Sequence, residues 1–194
     1  MTRREALIAT LAAAGATAGL VDSAAAQSGG PPATLDPALA AHAHDWDWLA
    51  GRWNVRHHRL KARLAGSTEW EDFNGTCQMF PTMGGFGNVD DNYLELPAGA
   101  YRAVGVRAFD PATRQWAIWW LDGRFPTHID PPVRGSFENG VGTFVAPDTL
   151  NNRPIKVRFQ WTKITARSAH WEQAYSPDDG ASWEVNWRME FTRA

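Results

Sequence analysis

The sequence predicts an all-β protein, a single antiparallel up-and-down barrel of about ten strands preceded by one short helix. Two observations carry the class. Beyond residue 51 the helical period gives way to short segments of alternating, β-branched or aromatic character, each closed by turn residues. No helical pattern lies between those segments, which removes parallel βαβ architecture and leaves an antiparallel sandwich or barrel. A third observation, the Gly51-Arg52-Trp53 triplet that opens the first strand, bears on the choice between them through a resemblance.

In chain order, residues 1–26 read as a secretory signal, with a basic start, an apolar run from Ala6 to Val21 and the small-residue stretch Ser23-Ala24-Ala25-Ala26. Thr2-Arg3-Arg4-Glu5-Ala6-Leu7 resembles the twin-arginine motif, which implies export of an already folded chain to the periplasm. The apolar run is short for a membrane span and no Cys stands near the cleavage site, so no membrane insertion is expected after cleavage. Residues 27–35, with Gly29-Gly30-Pro31-Pro32, have the composition of a flexible linker, and 36–194 form the barrel domain. Asp36-Pro37 offers an N-cap and a first-turn Pro, and Leu39, Ala43, Trp46 and Leu49 share one helical face, with Gly51 ending the helix.

Strands are expected over 53–61, 69–79, 88–96, 101–109, 115–121, 133–137, 142–145, 155–162, 168–175 and 183–192. The turns between them support hairpins. Asn139-Gly140 suits a two-residue type I′ turn, and Asp110-Pro111-Ala112-Thr113 puts Pro at the second position of a type I turn. The run from Ser176 to Trp183 reads S-x-D-x-G-x-x-W and resembles the Asp-box hairpin of sialidases and related propellers. It occurs once here, without internal repeats, so it supports a hairpin and argues against a propeller.

Gly51-Arg52-Trp53, placed after a short helix at the start of a strand, resembles the G-x-W signature of lipocalins and other calycin barrels. That resemblance implies that Trp53 plugs the closed end and that an Arg of the last strand, Arg188 or Arg193, lies over it. With Trp48-Leu49-Ala50-Gly51-Arg52-Trp53 and Trp183-Glu184-Val185-Asn186-Trp187, residues 45–194 resemble an uncharacterised family of bacterial exported calycin-like domains, a likeness that brings no activity with it.

Charge and cysteine content bound the partners. The formal charge is −2, and removing residues 1–26 takes away two basic and two acidic residues, so it stays there. This balance argues against nucleic acid. A single cysteine, Cys77, excludes an internal disulfide, and its strand context suits a small buried side chain. No G-x-S-x-G elbow occurs. Met83 to Asn88 is glycine-rich but opens no helix, so it reads as a bend and not as a phosphate cradle. His57 and His58 are adjacent in a strand and point to opposite faces, and no metal or other cofactor is expected. A haem is disfavoured because no His follows His170.

Eleven tryptophans either fill the core or line part of a cavity, with Trp53, Trp70, Trp116, Trp119, Trp120, Trp161, Trp171 and Trp187 as the candidates. If Trp53 points inward, then Val55, His57 and Arg59 do as well. In the last strand Trp183, Val185, Trp187, Met189 and Phe191 share one face and Glu184, Asn186, Arg188 and Glu190 the other, with the inner face undetermined. The polar cavity candidates are His57, Arg59, Arg107, Asp122, Arg158, Gln173 and Asn186, joined by Trp120; outer-wall salt bridging is the competing role for the charged ones. Three functions compete: a barrel binding a small apolar or aromatic molecule, an enzyme of hydrolase, isomerase or cyclase type with His57 and a carboxylate as its acid/base pair, and a structural or partner-binding module.

Overall fold

The computed structural model describes residues 37–194; the expected signal segment 1–26, the linker 27–35 and the Asp36 cap lie outside the described residues. Ten strands follow one another: β1 (Gly51–Leu60), β2 (Trp70–Thr82), β3 (Gly87–Leu94), β4 (Tyr101–Asp110), β5 (Gln115–Asp122), β6 (Val133–Glu138), β7 (Val141–Leu150), β8 (Arg153–Thr162), β9 (Ser168–Ser176) and β10 (Glu184–Arg193). Each pairs antiparallel with its sequence neighbours, and β1 pairs with β10, from Trp53 opposite Arg193 to Arg59 opposite Trp187, closing an up-and-down barrel.

Short turns hold the hairpins. Asn139 and Gly140 both have positive φ, as a type I′ turn requires. Asn151 and Asn152, also at positive φ, make a second turn of this kind that the sequence reading did not single out. It draws β7 out to Leu150 against Arg153, well past the expected end at 145, because pairing with β8 overrides the weak strand propensity of Ala146-Pro147-Asp148. Between β9 and β10, Asp178 accepts from Ser182 N and Ser182 Oγ at 2.8 and 2.6 Å, and Gly180 N donates to Ser176 Oγ at 2.7 Å. These bonds to the ionised form hold the Asp178 carboxyl down at about 2. One seam is short: β5 and β6 share only the pairs Trp116–Gly135, Ala117–Arg134 and Ile118–Val133.

The expected short leading helix is present, but as a broken helical segment and not one continuous helix. α1 covers only Pro37–Ala40, and 3-10 turns follow at Ala41–His44 and Asp47–Leu49. Between the turns Trp46 leaves helical geometry, with φ −111° and ψ 7°, and enters the barrel end. There its ring meets Trp116, Phe137 and Trp161 edge-on at 4.9 to 6.1 Å and stacks on Phe144 at 5.8 Å. Burying one indole of this size is worth about 2 to 3 kcal/mol, more than the few backbone bonds of a short helix return.

Trp53 closes the same end, 1 % exposed, its Nε1 donating to Leu49 O at 2.7 Å. The Arg193 guanidinium lies 3.8 Å from the Trp53 ring centroid and donates to Ala50 O at 2.5 Å and Trp48 O at 2.7 Å. Arg193 thus ties the last strand to the entry segment. Arg193→Met, which keeps the stem and removes the donors, is expected to lower stability by about 2 kcal/mol in urea unfolding, with the midpoint falling and the denaturant slope unchanged.

Candidate functional site

The interior is set by strand parity. On β1 the inward row is Trp53, Val55 and His57, with Arg59 at the mouth; on β4 it is Tyr101, Ala103, Gly105, Arg107 and Phe109. On β3 the inward row is polar: Asn88 and Asp90 are fully buried, Asn92 is half-buried, and Leu94 ends the row. Asn88 lies opposite Arg107, and Asp90 opposite Gly105. Arg107 Nη1 donates to Asn88 Oδ1 at 2.9 Å and Asp90 Oδ2 at 2.5 Å, while Asp90 Oδ1 accepts from Gly105 N at 2.9 Å and Asn92 Nδ2 at 2.5 Å. The Arg107 guanidinium also sits 4.6 Å from the Trp46 ring centroid, which couples this network to the plug.

Glycines make the room. A Cβ at Gly105 would overlap Asp90 Oδ1, and one at Gly75 would come within 2.8 Å of His57 Nε2. The His57 ring stacks on Phe73 at 4.5 Å, and Trp187 Nε1 donates to its Nδ1 at 3.2 Å. An indole N–H only donates, so Nδ1 is the acceptor and Nε2 carries the proton. Burial, helped by Arg59, pushes the His57 pKa down to about 3, so the ring is neutral at ordinary pH. No carboxylate is hydrogen-bonded to His57 among the described residues, so the pair required by the acid/base reading is not assembled. Burial beside Asp90 also pushes the Cys77 thiol up.

A cavity of about 60 Å³ lies among these groups, bordered by His57, Cys77, Asp90, Arg107, Trp120 and Phe159. A second space of about 140 Å³ opens toward the mouth past Asp130, Asp148, Gln173 and Tyr175. The two adjoin, sharing Ile118, Trp120 and Phe159 as walls, and are named the inner and outer lobes. Both lie beside the end of the short β5–β6 pairing, where Ile118 meets Val133.

The expected site residues therefore separate. His57, Arg107 and Trp120 border the inner lobe, and Trp120 and Gln173 the outer. Gln173 Nε2 donates to Asn186 Oδ1 at 2.8 Å. Asn186 reaches the interior because the β9–β10 register shifts between Val185 and Trp187, a bulge that breaks strict alternation and turns Asn186 and Trp187 to the same side. Arg59 stays at the mouth, paired with Glu71 and lying 5.5 Å from the Trp187 ring centroid. Asp122 is held by Arg124 at 2.6 Å. Arg158 is on the outer wall, because Val157, Phe159 and Trp161 take the inward parity; it lies over Trp183 at 4.6 Å and near Glu172. Arg188 also faces out, over Trp70 at 5.1 Å, and does not reach Trp53. Trp70 belongs to the outer face of its strand, under His58 and Arg188, and Trp119, though opposite in parity to Trp120, also borders the inner lobe.

The sequence reading missed Asn88, Asp90 and Asn92. Their signal was the i, i+2, i+4 spacing on the face of Leu94, overlooked because polar rows are ordinarily solvent-facing. Beyond the barrel wall, Phe125 and Ile129 stand exposed on the loop between β5 and β6.

No protein-family model and no curated protein matches this chain. Among solved structures, an S-type phycobiliprotein lyase from Guillardia theta matches with a TM-score of 0.51 at 10% identity, over 77% of this chain and 90% of that one. EF1p2_mFAP2b bound to DFHBI matches with a TM-score of 0.42 at 12% identity, over 79% of this chain and 99% of that one. At 10% identity the likeness to the lyase is one of fold alone.

Two outcomes test this geometry. Gly105→Ala forces the Asp90 carboxylate aside and is expected to cost about 2 kcal/mol in chemical denaturation. His57 binds its proton at about 3 in the folded chain and near 6.5 when unfolded, so the unfolded state takes up more protons between those values and stability falls as pH drops through that window. Going from pH 6.5 to 4.5, this group alone is expected to remove about 2 kcal/mol, and His57→Phe is expected to lack that part of the slope.

Proposed function

We propose that the barrel binds one small, flat, largely apolar molecule, held in the inner lobe and reaching into the outer one. The observation that carries this is the pair of adjoining spaces sharing Trp120 and Phe159, the inner one with mostly apolar walls and a few fixed polar groups, the composition of small-molecule sites, and the outer one about half polar. An apolar cavity of about 150 Å³ accepts benzene, so lobes of about 60 and 140 Å³ together set the scale at a single ring with a short substituent.

The lack of a carboxylate on His57 weighs against acid/base catalysis at this position. A second reading, a partner-binding module, is supported by the exposed Phe125 and Ile129 beside the mouth. The N-terminal Arg3-Arg4 pattern supports export to the periplasm by the twin-arginine route.

Binding is read by intrinsic tryptophan emission against a panel of one-ring aromatics. A saturable change is expected, and Ile118→Trp, which blocks the wall between the lobes, is expected to abolish it while far-ultraviolet dichroism stays native. If no probe perturbs the emission of the unaltered protein, the binding reading is wrong. For export, Arg3→Lys with Arg4→Lys is expected to keep the chain out of the periplasmic fraction of a bacterial host; unchanged processing would remove the twin-arginine route.

A further inference from the structure

The interior holds more hydrogen-bond donors than acceptors. Both Asp90 oxygens are already engaged, by Gly105 N, Asn92 Nδ2 and Arg107 Nη1. Against them, Arg107 Nε, Asn88 Nδ2 and Trp46 Nε1 are buried without a protein acceptor among the described residues. The Asn88 amide cannot be turned to relieve this, because its Oδ1 already accepts from Arg107. His57 is 3 % and Arg107 6 % exposed, and both border the inner lobe. His57 must carry its proton on Nε2, and neither that atom nor Arg107 Nη2 has a partner among the described residues. Two donors on the inner face, from β1 and β4 with β2 and β3 between them, thus border one small space with aromatic walls.

Charge decides what kind of acceptor suits them. Asp90 already balances Arg107 at 2.5 Å, and His57 is neutral, so the lobe carries no net charge. An anionic guest would lie against the Asp90 carboxylate and lose its hydration without a free counter-ion. An uncharged acceptor avoids both costs.

Resting on the binding reading above, we propose that the barrel selects a one-ring aromatic or conjugated molecule bearing a neutral carbonyl oxygen, inserted carbonyl-first to accept from His57 Nε2 and Arg107 Nη2. The ring then lies between Trp120 and Phe159, and any larger substituent points to the outer lobe.

Acetophenone, ethylbenzene and benzoate are matched probes of this idea: the same ring with a neutral acceptor, with none, and with an anion. Binding is followed by tryptophan emission, and the carbonyl stretch of bound acetophenone by infrared difference spectroscopy. In the unaltered protein the stretch is expected to move below its value in an apolar solvent, and benzoate is expected to bind more weakly than acetophenone. His57→Phe keeps the ring stacked on Phe73 but removes the donor. It is expected to weaken acetophenone about fivefold, the worth of one hydrogen bond, and to leave ethylbenzene within twofold.

Ethylbenzene and acetophenone responding alike to His57→Phe, an unshifted carbonyl stretch, or tighter binding of benzoate would each overturn the carbonyl proposal while leaving the cavity reading in place. Failure of all three probes to bind the unaltered protein would remove both. The infrared shift is read on the unaltered chain, so it decides the matter even if His57→Phe folds poorly.

Discussion

A closed sheet leaves no edge at which a strand can slip, and its pleat assigns every other side chain to the inside. Once Trp53 is committed inward on β1, closure against β10 and β2 carries the same parity around all ten strands. That constraint places His57 and Arg107 in the interior and Arg158 and Arg188 on the wall, irrespective of their chemistry. It also explains the glycines at 75 and 105. A row pointing inward cannot move its polar members to the surface, so neighbouring positions must shrink to make room for an imidazole and a carboxylate. The only departure in the β9–β10 ladder is the bulge after Val185, which delivers Asn186 to the interior and to Gln173.

Ten strands enclose more space than eight, and the width grows with strand number. Aromatic side chains take up most of the difference. Trp46, Trp53, Trp116, Trp161, Phe144 and Phe191 pack the closed end into one cluster, and the entry segment contributes its own indole to the fill. Arg107 joins this cluster to the polar row through its contact with Trp46. Plug and cavity are thereby one mechanical unit: removing the Arg107 charge would leave Asp90 buried and unpaired, a cost of about 3 to 5 kcal/mol, and would loosen the indole beneath it.

The sequence was legible where local chemistry and global fold agree. All ten strands, the Asn139-Gly140 turn and the position of Trp53 follow from alternation, turn residues and one short motif. The entry helix is legible as an element but its break is not: helical spacing of Leu39, Ala43, Trp46 and Leu49 describes one face, whereas the chain uses Trp46 on the barrel end. The polar β3 row escaped because the sign of an inward face is set by closure, which one strand does not reveal. Arg158 stays open between cavity and outer wall for the converse reason: its alternation with Val157 and Phe159 is legible, but which parity looks inward is not.

The strand pairing between β5 and β6 comprises three residue pairs, extended by the isolated Leu121–Ile129 bridge, whereas its neighbours on either side run to five or more. Local opening costs least where the ladder is shortest, and this seam borders both lobes through Ile118 and Val133. Such a barrel has a zip as well as a mouth. The residence time of anything lodged beside Trp120 would then be governed by how often these two ribbons part, and amide protons along Ala117 to Val133 would exchange with solvent on that same clock.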